Sequence, residues 1–179
     1  MKCYLTILLF ALVSCATPPS SKDSIKISID VQELPPIGLA ISTTDYNLQL
    51  VHFDSNKHGE HVIPNMDAAY ITLHNGFSER KQIYAELGDN IHLTFDGKSM
   101  KESLKITGDR PGITEYLSNQ KITPYDRNIY SLQFPEFESA LKEKIAENCL
   151  LLDSCENTLK NESEKFIKLE RARIKYLFA

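Results

Sequence analysis

Apolar side chains recur at every second position through residues 24–31, with Ile25, Ile27, Ile29 and Val31 on one face and Ser24, Lys26, Ser28 and Asp30 on the other. That period predicts a half-buried β-strand. Pro35 and Pro36 interrupt it, after which Ile37, Leu39 and Ile41, then Leu48, Leu50 and His52, repeat the alternation around turn-like residues 43–47. Residues 54–59 read as a polar loop, and residues 70–74 as a strand closed by the turn-forming pair Asn75 and Gly76. The most regular stretch comes next. Ile83, Ala85 and Leu87 alternate up to Gly88, Asp89 and Asn90, and Ile91, Leu93 and Phe95 alternate beyond them, which predicts a β-hairpin. Residues 103–107 supply a last short strand before Gly108. Strands this short and closely spaced predict an antiparallel β-sandwich or a strongly curled sheet over residues 24–108.

Past Gly108 the hydrophobic period lengthens from two residues to about three and a half. Pro111 opens a short helix bearing Ile113, Tyr116 and Leu117. Pro135 stands where a first-turn proline belongs, and Glu136 and Glu138 suit the positive end of a second helix whose inner face carries Phe137, Leu141 and Ile145. Asp153 and Glu156 have capping-box spacing, so that helix is expected to stop near Leu152 and another to start, bearing Leu159, Phe166, Leu169, Ile174 and Leu177. The expected fold class is α+β: an N-terminal sandwich or curled sheet followed by a C-terminal helical hairpin over residues 109–179. The chain is still amphipathic at its last residues, with no glycine or proline to end the helix. The expectation is a frayed end or a shortened relative of a longer protein.

The N-terminus carries a different pattern. Met1 and Lys2 precede an apolar run through Val13, shorter than the roughly 18 residues a membrane-spanning helix needs. Residues 1–14 read as a signal peptide. Leu12, Val13, Ser14 and Cys15 look like the lipobox of bacterial lipoproteins, which implies diacylglyceryl attachment to Cys15, cleavage after Ser14 and acylation of the new N-terminus. A plain secretory leader with an incidental cysteine is the alternative. Buried methylenes contribute ~0.8 kcal/mol each, so two or three acyl chains on Cys15 hold a protein durably at a membrane. Residues 15–23 have the Pro/Ser composition of a tether. The expected location is the cell envelope, facing the periplasm or exposed at the surface.

A hydrophobic content of 42%, a charged content of 25% and a net charge of -4 argue against disorder and against a nucleic-acid partner. Of the cysteines, Cys3 leaves with the leader and Cys15 is lipidated, so Cys149 and Cys155 remain. On one continuous helix their Cα atoms would stand ~9 Å apart at the helical rise, too far for a disulfide. A bridge between Cys149 and Cys155 therefore needs the break near Leu152. His52, His58 and His61 cluster in sequence, but no helix spaces two imidazoles for a metal, and no metal or cofactor site is expected. His74 and His92 fall on the polar faces of their strands. Glu33, Glu60, Asp89 and Glu115 are scattered and read as solvated surface. Lys168, Arg171, Arg173 and Lys175, interleaved with Glu162, Glu164 and Glu170, read as a solvated helix face. No catalytic residue is expected.

The lipobox, the stretch 83–95, Leu104 to Gly108 followed by Glu115, Tyr116 and Leu117, and the charged closing helices together resemble the N-terminal region of thioredoxin-like envelope lipoproteins. In that family a β-domain with a similar Pro-Gly-Asp turn and Thr-Gly strand end precedes a helical segment and a thioredoxin-fold domain with C-x-x-C. Leu87 stands where the family often has proline, and the C-x-x-C residues have no counterpart in this chain. The resemblance implies an accessory or binding domain, with the membrane and an envelope or thioredoxin-like protein as partners. The alternatives are a thiol-disulfide oxidoreductase working through Cys149 and Cys155, and a purely structural envelope lipoprotein.

Overall fold

In the computed structural model the described residues are 23–43, 47–76, 79–120, 129 and 131–176. The signal peptide, Cys15, the tether through residue 22 and Leu177 lie outside them. Strict alternation becomes strand wherever it was strongest: β1 (Ser24–Val31), β5 (Ala68–Asn75), β6 (Glu79–Glu86) and β7 (Asn90–Phe95) are joined by the shorter β2 (Leu39–Ser42), β3 (Leu48–Leu50), β4 (His58–Pro64) and β8 (Lys105–Gly108). A one-turn helix α1 (Met100–Ser103) precedes β8, and α2 (Pro111–Asn119), α3 (Phe134–Glu162) and α4 (Glu164–Tyr176) follow it. The layout is α+β, as the change of period at Gly108 predicts.

The strands form two four-stranded sheets, ordered β4-β1-β7-β8 and β3-β2-β5-β6. Ile25, Ile27, Ile29, Leu93 and Phe95 from the first meet Leu39, Ile41, Ile71, Leu73 and Ile83 from the second, all of them buried. One pairing departs from the antiparallel expectation: β1 and β7 run parallel, with Ile27 opposite Ile91 and Ile29 opposite Leu93.

That pairing overturns the hairpin expected over residues 83–95. β6 and β7 lie in different sheets, and the link through Gly88 is a corner of the sandwich. Alternation cannot tell the two apart, because both arms turn an apolar face to the same core from opposite sides. Gly88 adopts φ +92°, a left-handed conformation that favours glycine. Asp89, expected in solvent, is buried and ties the corner: its carboxylate accepts the Glu86 N–H and the Arg110 Nε–H, each at 2.7 Å. The polar loop expected over residues 54–59 is also shorter than anticipated, since His58 and Gly59 already belong to β4. Gly59 faces Ile29 across the β1–β4 ladder, where a Cβ would stand 2.8 Å from Val51 Cγ1. An inward position held by glycine breaks the apolar rhythm, and this hid the strand.

α3 runs without interruption for 29 residues, and Leu152, the expected stop, is buried in its middle. Asp153 and Glu156 start no helix; each lies 2.9 Å from Arg171 on α4, which folds back along α3. The cap lies later. Ser163 Oγ accepts the Phe166 N–H at 2.9 Å, a side-chain cap at the start of α4. Glu162, at the end of α3, accepts the N–H groups of Gly112 and Ile113 at 2.8 and 2.9 Å and so caps α2. The helices cover the outer face of β5 and β6, where Tyr70 and Tyr84 join Ile113, Tyr116, Leu152, Leu159, Phe166 and Ile174 in a second core. Phe166 is fully buried at its centre, with ring centroids 4.9 Å from Tyr84 and 5.7 Å from Tyr116.

Candidate ligand cleft

β6 is an edge strand, paired only with β5 in its sheet. The Leu87 N–H donates to the Asp67 carbonyl at 3.0 Å, one step beyond the ladder in which Leu73 stands opposite Lys81. In an antiparallel ladder hydrogen-bonded pairs alternate, so Leu73 and Lys81 form such a pair. The backbone N–H and carbonyl of Gln82 are accordingly directed off the free edge. Beside that edge lies a cleft of about 600 Å³, closed by α1, β8 and α2. Met100, Leu104, Ile106 and Leu117 give it an apolar wall, and Arg80, Lys81 and Lys101 a basic one. Among its described lining residues Glu115 is the one carboxylate.

The basic bias has a structural origin. Glu79, next to Arg80 on β6, is engaged elsewhere: its carboxylate accepts the Met100 and Lys101 N–H groups at 3.1 and 3.3 Å and Asn75 Nδ2 at 2.7 Å. It caps α1. Lys81 is half-buried, and its ammonium donates to Ser118 Oγ at 2.7 Å. Ser118 Oγ in turn donates to the Thr114 carbonyl at 2.8 Å. No carboxylate among the described residues lies within ion-pair distance of Lys81, and burial lowers its pKa from the ordinary lysine value. Nothing in the residue pattern announced this group. Lys81 acquires its surroundings from strand register and from α2, which is 37 positions away at Ser118.

Arg173, which also lines the cleft, belongs to a buried polar network, which corrects the expected solvated helix face. Glu170 is 0% exposed and Arg173 lies against it, with Nε and Nη2 each 2.7 Å from its carboxylate. The same carboxylate accepts Tyr70 OH at 2.5 Å, Tyr116 OH at 3.2 Å and the Gln120 amide. Burial, and then the Glu170 charge, raise the Tyr70 and Tyr116 phenols; burial and Glu86 raise Tyr84. Because an unfolded phenol ionises near pH ~10, the native state holds protons above that pH that the unfolded state releases. Stability from these groups is thus complete below pH ~10 and falls as pH rises beyond it. Absorbance at 295 nm is expected to show Tyr70, Tyr84 and Tyr116 ionising only with the cooperative loss of circular dichroism. Their gradual ionisation in a folded protein would contradict the network.

The remaining candidates fall apart from the cleft. Asp30 holds His58 Nδ1 at 2.7 Å and His92 Nε2 at 3.3 Å on the outer face of the first sheet, and Ser28 Oγ lies 2.9 Å from His92 Nδ1. The Asp30 contact raises the pKa of the half-buried His58. His74 is bonded to Ser42 Oγ at 2.8 Å, and burial lowers the pKa of both His61 and His74. No group of three or more His, Cys, Asp or Glu among the described residues is placed to hold a metal ion. Glu33 is exposed and pairs with Lys98 at 2.5 Å; Glu60 is exposed too. Cys149 and Cys155 are free thiols on the unbroken α3. The disulfide that needed a break near Leu152 is absent, because the helix that holds both residues apart does not stop there. No protein-family model matches the chain, and a search of the curated proteins finds no match.

Proposed function

We propose that the protein is a lipid-anchored binding module of the cell envelope, held at the membrane through Cys15 and taking a small-molecule ligand in the cleft between β6, α1, β8 and α2. The cleft carries this reading. Its volume of about 600 Å³ falls within the range of small-molecule sites, and it joins an apolar wall to a few convergent polar groups. The lipobox supports the anchor, and the resemblance to thioredoxin-like lipoproteins supports an accessory role beside a redox partner. The rival reading, thiol chemistry through Cys149 and Cys155, gains no support from two free thiols on one continuous helix.

Two measurements test the proposal. In cells fed an alkyne-labelled fatty acid, the wild-type chain is expected to take up label and to partition with detergent, and Cys15→Ala to do neither. An unlabelled wild-type chain would remove the anchor. Native mass spectrometry of the released protein is expected to show a small-molecule adduct that Thr114→Trp, which fills the cleft from α2, abolishes. An adduct insensitive to Thr114→Trp, or none in the folded wild type, would remove the cleft as the site.

A further inference from the structure

We infer that the ligand of this cleft is an amphipathic anion, a small molecule with a phosphate or carboxylate group on an apolar body. The inference rests on the cleft being the ligand site and assigns the chemistry it selects. Its centre is the Lys81 ammonium, half-buried in the lining of the cleft with a hydroxyl, not a carboxylate, as its partner. A cation withdrawn from water without a counter-charge is unfavourable, and an anionic ligand supplies what the described residues do not.

Three further features favour the same class. Glu79, the acidic side chain nearest in sequence, is turned to the N–H groups of α1, which leaves Glu115 as the one carboxylate in the lining beside Lys81 and Lys101. The off-edge N–H of Gln82 offers a second donor beside the ammonium, and charge-assisted bonds of this kind are the strong ones. The apolar lining, Met100, Leu104, Ile106 and Leu117, would remain wet beneath a purely hydrophilic anion and is covered by an apolar body. A neutral apolar ligand, conversely, would desolvate Lys81 and return nothing.

The test compares 1-naphthyl phosphate with 1-naphthol and with inorganic phosphate, titrated by calorimetry against the full chain in phosphatidylcholine nanodiscs. Naphthyl phosphate is expected to bind at least tenfold more tightly than either half alone. Lys81→Gln is expected to weaken it about ten- to a hundredfold, in line with a lost charged hydrogen bond, and to leave naphthol unchanged. Equal binding of naphthol and naphthyl phosphate, insensitive to Lys81→Gln but abolished by Thr114→Trp, overturns the anionic class and leaves the binding module standing. Inorganic phosphate binding as tightly as naphthyl phosphate overturns the apolar part. Loss of every signal, together with no Thr114→Trp-sensitive adduct in native mass spectrometry, overturns both. Addition of phosphatidylglycerol to the nanodiscs separates the possible sources: competition assigns the anion to a lipid headgroup, and unchanged affinity assigns it to a free ligand.

Discussion

Replacing Glu170 with alanine is expected to destabilise the protein by about 3–5 kcal/mol, read as a lowered midpoint of urea unfolding at unchanged slope. The size follows from what the carboxylate leaves behind. Arg173 is 14% exposed by side chain and loses its bidentate partner, while Tyr70, Tyr116 and Gln120 each lose an acceptor in the space between the second sheet and the helices. Burial is costly for an unpaired cation and for unpaired donors alike. The pair itself need not be worth that much. The double variant Glu170→Leu with Arg173→Leu removes both charges and is expected to recover more than half of the loss, since apolar pairs replace buried ion pairs with little penalty. A single variant within about 0.5 kcal/mol of wild type, the scale of ordinary surface changes, would mean that the network is solvated after all.

Glu170 also shows where the chain's pattern stops informing. Its neighbours in sequence alternate in sign and look like a wet helix face, yet at helical spacing it falls beside Phe166, Ile167 and Ile174, all buried. Burial of Glu170 depends on Tyr70, 100 positions away, and no local window contains that. The strands were legible for the opposite reason. The alternation of Ile25, Ile27 and Ile29 records burial residue by residue, so β1 and the sandwich core could be read directly. What alternation does not record is partner choice, and so residues 83–95 fit a hairpin as well as the corner that Asp89 and Arg110 hold. Capping signals failed similarly: Asp153 and Glu156 have the right spacing but face Arg171, whereas Ser163 caps α4 without an acidic residue three positions on. Lys81 is the extreme case. Its importance is the absence of a carboxylate nearby, and only the assembled fold can express an absence.

Gly108→Ala is expected to cost about 2–6 kcal/mol, combining the strain of a left-handed backbone with that of overpacking. Gly108 has φ +108°, and a Cβ there would stand 2.2 Å from the Asn90 carbonyl oxygen and 3.2 Å from Ile91 Cα. The obstacle is backbone, so no side-chain rotation relieves it. Gly38 provides the comparison: its φ is +95°, but its Cβ would meet nothing within 4 Å. Gly38→Ala therefore carries backbone strain alone, about 1–3 kcal/mol. The difference between the two variants isolates the collision with Asn90. Relief requires the end of β8 to leave β7, breaking the Asp109 N–H bond to Asn90 at 3.1 Å and the Asn90 N–H bond to Asp109 at 2.8 Å. Arg110 and the start of α2 follow immediately, and β8 carries Ile106 into the wall of the cleft. In the fraction that remains folded, Gly108→Ala is thus expected to weaken naphthyl phosphate binding at least threefold, while Gly38→Ala, outside the cleft lining, leaves it unchanged. Equal stability of the two variants would show that β8 yields without strain and that the corner at Arg110 does not depend on it.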